Sequence, residues 1–267
     1  MEAFMGTDRL SETAERFGEA LKNREFHVWY QPQVDMRTGV PRGAEALVRW
    51  QRQDSGLVRP DEFIPLLEKA GLTALLDAEV MRIVCQDISE SKQRKIPFGP
   101  VSVNLSRLHA ERRGTPERFR RLTEQYGVTR QDLSFEITET SAEENGGEGI
   151  IQLADDLQEE GYRVAMDDYG TGCSTLKLLQ EVHFDILKLD RHFVSRIGDP
   201  RADIILASTI TMAGGLGLEV VAEGVETAEQ ICFLVEHQCY FGQGYYFSRP
   251  LPKEQYIRWR GAYETAV

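Results

Sequence analysis

Strand patterns alternate with helical patterns over most of this chain. The first two strand patterns, "EFHVWYQPQVD" and "VPRGAEALVRW", are separated only by "MRTG". Because so short a connection cannot hold a crossover helix, the pair is predicted to form an antiparallel hairpin. Six further strand patterns follow, each separated from the next by a helical pattern. This alternation is typical of the α/β class.

Eight strands alternating with helices favour a closed barrel. An open doubly wound sheet is the alternative, but the GxGxxG sequence that would favour it is absent after the first strand. The opening stretch "RLSETAERFGEALKNREF" has helical spacing of its apolar residues. We therefore predict a lead-in helical segment over residues 1–24, suited to join an upstream module, and a barrel domain over residues 25–267.

The charge of the chain limits its ligands. There are 43 acidic and 31 basic residues, for a net charge of −12, which opposes binding to duplex nucleic acid. An anionic ligand would need a local feature that reverses the field, and divalent cations held by clustered carboxylates would do so. With no basic and apolar leader and no run of about 18 apolar residues, we expect no membrane insertion by this chain and a cytoplasmic location.

Polar side chains occupy the inner face of several predicted strands. Because side chains alternate along a strand, Val103 and Leu105 face one way in "VSVNLS" and Asn104 faces the other. The same division, applied to all the strands, gives six inner polar residues near corresponding strand ends, one from each of six strands: Glu45, Asn104, Glu136, Asp167, Lys188 and Glu223. A single such residue is usually structural. Six of them near corresponding strand ends would meet at the rim where barrel enzymes place their chemistry.

Asp168 adds a fifth carboxylate to this set. Taken alone, the adjacent Asp167 and Asp168 are more typical of a turn that caps the following helix. Together with the other acids, however, they would repel one another strongly unless cations bind them. Oxygen ligands without His or Cys suit Mg²⁺ or Mn²⁺. At the strand end, Asp167 would point inward, and Asp168 could swing to the same side as the strand breaks into the turn.

Seven motifs resemble, in order and spacing, those of the EAL-domain cyclic-di-GMP phosphodiesterases. They are "EALVRW" at 45–50, "VNLS" at 103–106, "EITET" at 136–140, "DDYGTG" at 167–172, "LKLD" at 187–190, "AEGVET" at 222–227 and "QGYYFSRPLP" at 243–252. The resemblance implies a TIM-like (β/α)₈ barrel with an antiparallel first strand. It also implies hydrolysis of cyclic di-GMP to linear pGpG with two Mg²⁺ or Mn²⁺ ions.

The resemblance further implies roles for individual residues. One metal would be bound by Glu45, Asn104, Glu136 and Asp167, and a second by Asp167, Asp168 and Glu223. Lys188, Glu223 and Glu45 are the predicted catalytic residues; Lys188 would lie next to the attacking water, with a lowered pKa if it is held among cations. The predicted substrate contacts are Arg49, Leu47, Gln243 and Asp190, of which Arg49 would bind a phosphate. Glu139 would fix the loop after Asp168, and Glu226 would help to position the ligands or this loop without binding a metal itself.

Two other functions stay open at this point. One is a catalytically silent module that senses cyclic di-GMP, although such a module would be expected to lack metal ligands that are all present here. The other is a different acid-rich barrel enzyme, such as an enolase-type lyase, which would leave the motifs unexplained. The resemblance also implies a homodimer and an upstream sensor or GGDEF module in the parent protein.

Three features of the sequence concern the surroundings of the site. Tyr169 stands where the family usually has Phe, and Cys173 where an aromatic residue is common, so the loop after the aspartates departs from the pattern. The aromatic run of Tyr245, Tyr246 and Phe247 is expected to belong to the core and not to a platform for a base.

Overall fold

The computed structural model describes residues 2–112, 114–138, 148–170 and 175–264. The elements follow in the order α1 (Glu2–Lys22), β1 (Phe26–Asp35), β2 (Pro41–Arg52), β3 (Gly56–Val58), α2 (Pro60–Lys69), α3 (Thr73–Gln93), β4 (Val101–Leu105), α4 (Thr115–Tyr126), β5 (Leu133–Thr138), α5 (Glu148–Glu159), β6 (Arg163–Tyr169), α6 (Thr175–Glu181), β7 (Ile186–Leu189), α7 (Arg191–Val194), α8 (Pro200–Gly215), β8 (Glu219–Ala222), α9 (Ala228–Glu236), β9 (Phe241–Gly242), β10 (Leu251–Pro252) and α10 (Lys253–Glu264).

The predicted hairpin and closed barrel are confirmed. Strand β1 pairs antiparallel with β2 on one side and with β9 on the other. Strands β2, β4, β5, β6, β7, β8 and β9 pair in parallel in that order. Among the described residues this closes a ring of eight strands in which β1 alone is antiparallel, the TIM-like barrel that the resemblance implied.

The inner and outer faces of the strands carry different kinds of side chain. Outward-facing Val103 and Phe135 are fully buried between the strands and the surrounding helices. Inside the barrel, Ala165, Ile186 and Val221 form a small apolar cluster against Phe241. The inner polar residues therefore lie above an apolar plug, toward the C-terminal ends of the parallel strands.

Helix α1 is held against the barrel by apolar and polar contacts. Phe17 is buried and packs on Phe26, with ring centroids 5.5 Å apart. Glu25 accepts hydrogen bonds from Arg16 Nη2 at 2.7 Å and from Trp50 Nε1 at 2.9 Å. The link from residues 1–24 to an upstream module stays a prediction. No helix in the described ranges is long and apolar enough to span a bilayer.

Replacing Glu25 by Gln should destabilise the protein more at pH 7 than at pH 3. Burial raises the pKa of Glu25, but the hydrogen bonds from Trp50 and Arg16 outweigh it and leave the pKa below its usual value. Stability from a carboxyl with a lowered pKa is present above the unfolded value, near 4.5, and is lost as the pH falls through the folded value. We expect a loss of about 1–3 kcal/mol at pH 7 in urea unfolding.

Glu19 offers the matched control on the same helix. Its carboxylate lies 3.7 Å from Arg16 Nη1 and its side chain is 67% exposed, so Glu19→Gln should change the free energy of unfolding by no more than about 0.5 kcal/mol. Equal losses at both pH values for Glu25→Gln would contradict the assigned role of its charge.

Candidate active site

Lys188 lies at the centre of an acidic cluster inside the barrel. Its side chain is 1% exposed and projects from β7 toward acids on neighbouring strands. Its Nζ lies 2.6 Å from Glu136 Oε2, 2.8 Å from Glu223 Oε1, 3.0 Å from Asp167 Oδ1 and 3.5 Å from Glu45 Oε2. The barrel thus gathers one lysine and four carboxylates from β2, β5, β6 and β7 and the end of β8.

The cluster carries more negative than positive charge, and the pKa values follow from this. Burial would lower the pKa of Lys188, but the four carboxylates raise it well above its usual value. The sequence analysis expected a lowered pKa for Lys188 if cations surround it. In the structure, which contains the side chains alone, carboxylates surround Lys188 and raise its pKa instead. Burial raises the pKa of Glu136 strongly and that of Glu223 to about 8, although Lys188 opposes both shifts.

Two amide side chains connect the acids. Asn104 Nδ2 donates to Glu45 Oε1 at 3.0 Å. Gln243 Nε2 donates to Glu45 Oε2 at 2.6 Å and to Glu223 Oε1 at 3.0 Å. Gln33 Nε2 in turn donates to Gln243 Oε1 at 3.1 Å. Gln33 was not predicted from the sequence; the signal that could have identified it is its position on the inner face of β1.

A local break in β6 places the two aspartates. The pairing of β6 with β7 shifts register between Met166 and Tyr169. Asp168 has a φ of +54°, in the left-handed region that residues other than glycine seldom adopt. Carboxylate oxygens of Asp167, Asp168 and Glu223 consequently lie within 4.8 Å of one another. Burial and the charges of Asp167 and Asp190 raise the pKa of Asp168 to about 6.

The residues present fit divalent cations. The group of Asp167, Asp168 and Glu223 is a candidate cation site by its spacing, and all its ligand atoms are oxygens of the kind that Mg²⁺ and Mn²⁺ prefer. Glu136 Oε1 is buried and has no hydrogen-bond partner. Since a buried carboxylate oxygen is normally satisfied, this atom is suited to ligate a cation together with Glu45 and Asn104.

A cleft of about 430 Å³ opens beside Asn104. Its walls come from the middle of β2, the ends of β4 and β5, helices α2 and α3 and the turn after β4, and include Leu47, Val48, Pro60, Ile64, Asp77, Asn104 and Arg107. Asp77 Oδ2 accepts a hydrogen bond from Ser106 N at 2.9 Å and lies 3.1 Å from His109 Nε2, which fixes the turn after β4. Sequence reasoning missed Asp77, because helical periodicity alone does not indicate which helix faces the site.

Arg49 and Asp190 lie at the rim, each with an internal partner. Arg49 Nη1 donates to Val48 O at 2.8 Å, and its guanidinium carbon lies 5.3 Å from the ring centroid of Trp29. Burial lowers the pKa of Arg49, which Glu45 opposes. Asp190 Oδ1 accepts from His192 N at 2.8 Å and caps α7.

Of Glu139 and Glu226, the structure describes only Glu226, which is not part of the cluster around Lys188. The side chain of Glu226 is exposed, and its backbone N–H donates to Gln230 Oε1 at 2.7 Å, so its predicted role stays a prediction. Glu139 and Cys173 lie outside the described residues.

The expectation that the aromatic run after β9 belongs to the core is wrong for two of its three residues. Tyr245 is 53% and Tyr246 50% exposed, while Phe247 is half-buried and packs against the core. The reason is that β9 ends at Gly242 and the chain turns, so alternation along a strand no longer applies. A Cβ on Gly244 would lie 2.1 Å from Val225 O, which shows how tightly this turn packs.

Comparison with known proteins gives consistent matches. A sequence model of the EAL domain matches residues 14–250. The chain is 35% identical over 252 residues to "Probable cyclic di-GMP phosphodiesterase PdeB" of Escherichia coli (strain K12), covering 94% of this chain and 48% of that protein. It is 37% identical over 248 residues to "Cyclic di-GMP phosphodiesterase NbdA" of Pseudomonas aeruginosa, covering 91% and 32%. The chain thus spans less than half the length of these two relatives.

A solved structure agrees with these matches. The structure titled "PaMucR Phosphodiesterase, c-di-GMP complex" superposes with a TM-score of 0.83 at 31% identity, covering 91% of this chain and 99% of that one. The whole barrel, and not one motif, is therefore similar between the two proteins.

Proposed function

The chain belongs to the EAL domain family, and from this membership and the site geometry we propose that it is a metal-dependent phosphodiesterase. Its substrate would be cyclic di-GMP and its product linear pGpG. The observation that carries the proposal is the cluster of oxygen ligands around Lys188, which includes a buried Glu136 oxygen without a hydrogen-bond partner. The names of the relatives at 35% and 37% identity support the choice of substrate.

Two sets of residues would hold the cations. We assign Glu45, Asn104, Glu136 and Asp167 to one ion, and Asp167, Asp168 and Glu223 to the other. When bound, such ions lower the pKa of a water and neutralise the leaving oxygen of a phosphodiester. The bulge at Asp168 serves this arrangement because it turns the second carboxylate to the side of the first.

Lys188 and Gln243 would hold the reacting groups in place. Lys188 is fixed by four carboxylates, and its N–H donors are suited to orient the attacking water at the ligand oxygens. Gln243 fixes Glu45 and Glu223 relative to one another. A displacement of about 1 Å in such a site can reduce the rate about a hundredfold, so both are expected to matter for turnover.

Substrate would enter from the rim beside the cleft. Arg49 is suited to bind a phosphate as a charge-assisted fork, against the net charge of −12 of the chain. Leu47 lines the cleft, whose size and partly apolar walls suit a nucleoside. Asp190 is proposed to contact substrate from the end of β7.

The wider setting of this proposal rests on the sequence patterns and on the family resemblance. A homodimer, an upstream sensor or GGDEF module joined through residues 1–24, and a cytoplasmic location stay predictions.

Chromatography of cyclic di-GMP incubated with the purified protein tests the proposal. With Mg²⁺ or Mn²⁺ we expect pGpG to accumulate, and with EDTA we expect none, because the acids then lack their cations. Binding of cyclic di-GMP without a linear product would favour the silent sensor. If the protein neither binds nor cleaves cyclic di-GMP, both the phosphodiesterase and the silent sensor are excluded.

A further inference from the structure

The segment from the end of β4 almost to the start of β5 carries an excess of positive charge. Residues 107–130 contain seven arginines and three glutamates, with no lysine or aspartate, for a local net charge of +4. The whole chain has a net charge of −12, so the remaining residues together carry −16. A protein of this overall charge repels an anionic ligand unless a local field of opposite sign lies near its site.

Three of these arginines have no direct counter-charge. Arg118 and Arg121 lie three residues apart on the exposed face of α4, and Arg112 is half-buried in the turn before this helix. Within the part of the chain that the structure describes, none of the three guanidinium groups forms an ion pair, whereas Arg120 pairs with Glu124 at 3.1 Å. We call Arg112, Arg118 and Arg121 the arginine surface.

Packing contacts connect the arginine surface to the wall of the cleft. Arg107, in the turn after β4, lines the cleft together with Asp77. His109 follows in the same turn and is 3% exposed; its Nε2 lies 3.1 Å from Asp77 Oδ2. The ring centroid of His109 lies 5.5 Å from that of Phe119, the residue after Arg118 on α4. The beginning of α4 therefore lies beside the cleft, at the C-terminal end of the barrel strands.

Unpaired charges in this position act on a ligand as it approaches. Their field extends over the Debye length, which is about 8 Å at physiological ionic strength and about 30 Å at 0.01 M. A field of the right sign near a cleft can raise the rate of association of a charged ligand about 10- to 1000-fold. Cyclic di-GMP, the proposed substrate, carries a negative charge on each of its phosphodiester groups, so a positive surface beside the cleft attracts it.

We propose that the arginine surface steers the anionic dinucleotide into the cleft and thereby sets its rate of association. This inference rests on the proposed function, because it concerns the approach of that substrate. The arginines act before the substrate is bound, so they are not catalytic residues and turnover of bound substrate does not depend on them. Neutralising them should slow association, and most strongly at low salt.

Stopped-flow fluorescence with a 2′-O-methylanthraniloyl derivative of cyclic di-GMP measures the association rate. In about 20 mM NaCl, Arg118→Gln/Arg121→Gln should associate about threefold more slowly than wild type, and Arg118→Glu/Arg121→Glu about tenfold more slowly. In about 500 mM NaCl both differences should fall below about 1.5-fold, because salt screens exposed charges. The dissociation rate, and kcat at saturating cyclic di-GMP, should change by less than about twofold, because the bound state is unaffected.

Arg94 and Lys95 provide the matched control, because neutralising them removes the same charge at the opposite end of the barrel. They lie between α3 and β4, before the N-terminal end of that strand. Both are exposed, and the contact of Arg94 with Glu254 is 3.7 Å long between side chains that are each more than half exposed. Arg94→Gln/Lys95→Gln should slow association by less than about 1.5-fold in about 20 mM NaCl.

Three results would overturn the inference. They are an unchanged association rate of Arg118→Gln/Arg121→Gln at low salt, an equal decrease in the control variant, or a decrease that persists at high salt together with faster dissociation, which would indicate direct contact with bound substrate. Failure of the proposed function is recognised separately, because wild-type protein would then neither bind nor cleave cyclic di-GMP at any salt concentration.

Discussion

Replacing Glu45 by Ala should abolish hydrolysis of cyclic di-GMP while the barrel stays folded. Glu45 is a proposed cation ligand and accepts hydrogen bonds from Asn104 and Gln243, so its loss removes a ligand and releases both amides. We expect kcat to fall at least about a thousandfold, which is as large as or larger than the decrease caused by removing one preorganised electrostatic group from an active site. Initial rates with Mn²⁺ measure this, and circular dichroism checks the fold.

Glu62 provides a control for the loss of a glutamate. It lies on α2 with a side chain that is 61% exposed, so Glu62→Ala should retain turnover within about twofold. Calorimetric titration with Mn²⁺ gives a second readout, because Glu45→Ala should also weaken binding of the cation. Turnover near the wild-type rate in Glu45→Ala would exclude this residue as a ligand.

Replacing Lys188 by Met should destabilise the cation-free protein by about 3–5 kcal/mol, because a buried charge cluster loses its positive member. Four carboxylates that now lie within 3.5 Å of Nζ would face one another without a cation. Added Mn²⁺ should restore part of the stability, since the ion replaces the lost charge. Urea unfolding in EDTA and in Mn²⁺ measures both effects, and turnover should fall at least about a hundredfold.

Lys92 separates this effect from the general loss of a lysine ion pair. Its side chain is 42% exposed and pairs with Asp132, so Lys92→Met should cost no more than about 1 kcal/mol and should not respond to Mn²⁺. Equal losses for the two lysine variants would show that the acidic cluster does not depend on Lys188.

The barrel was predictable because its signals are local. The four-residue connection "MRTG" is too short for a crossover helix, so the β1–β2 hairpin follows from the length of that connection alone. The boundary of β9 was not predictable in this way. The pattern "CYFGQGYYF" continues past Gly242, but Gly244 packs closely against Val225 and the chain turns there. Because Val225 belongs to the segment after β8, this contact cannot be recognised from the alternation of residues within β9.

Within the site, alternation determined which residues face inward but not what they touch. Asn104 and Glu136 could be placed on the inner face because neighbouring side chains on a strand point to opposite sides. The Gln33–Gln243 contact joins residues 210 positions apart, and the role of Asp77 depends on which side of α3 packs over the rim. Such contacts are set by strand register and helix packing, which the local pattern does not specify.

The sequence by itself determined the class of fold, the antiparallel hairpin and the chemical type of the residues that point into the barrel, because each of these follows from short-range periodicity and connection length. Closure of the barrel alone decided that Lys188 is enclosed by carboxylates from other strands, that Asp168 turns beside Asp167, and that Tyr245 is exposed. These outcomes depend on distances between segments far apart in the chain, and such distances exist only once the strands have paired.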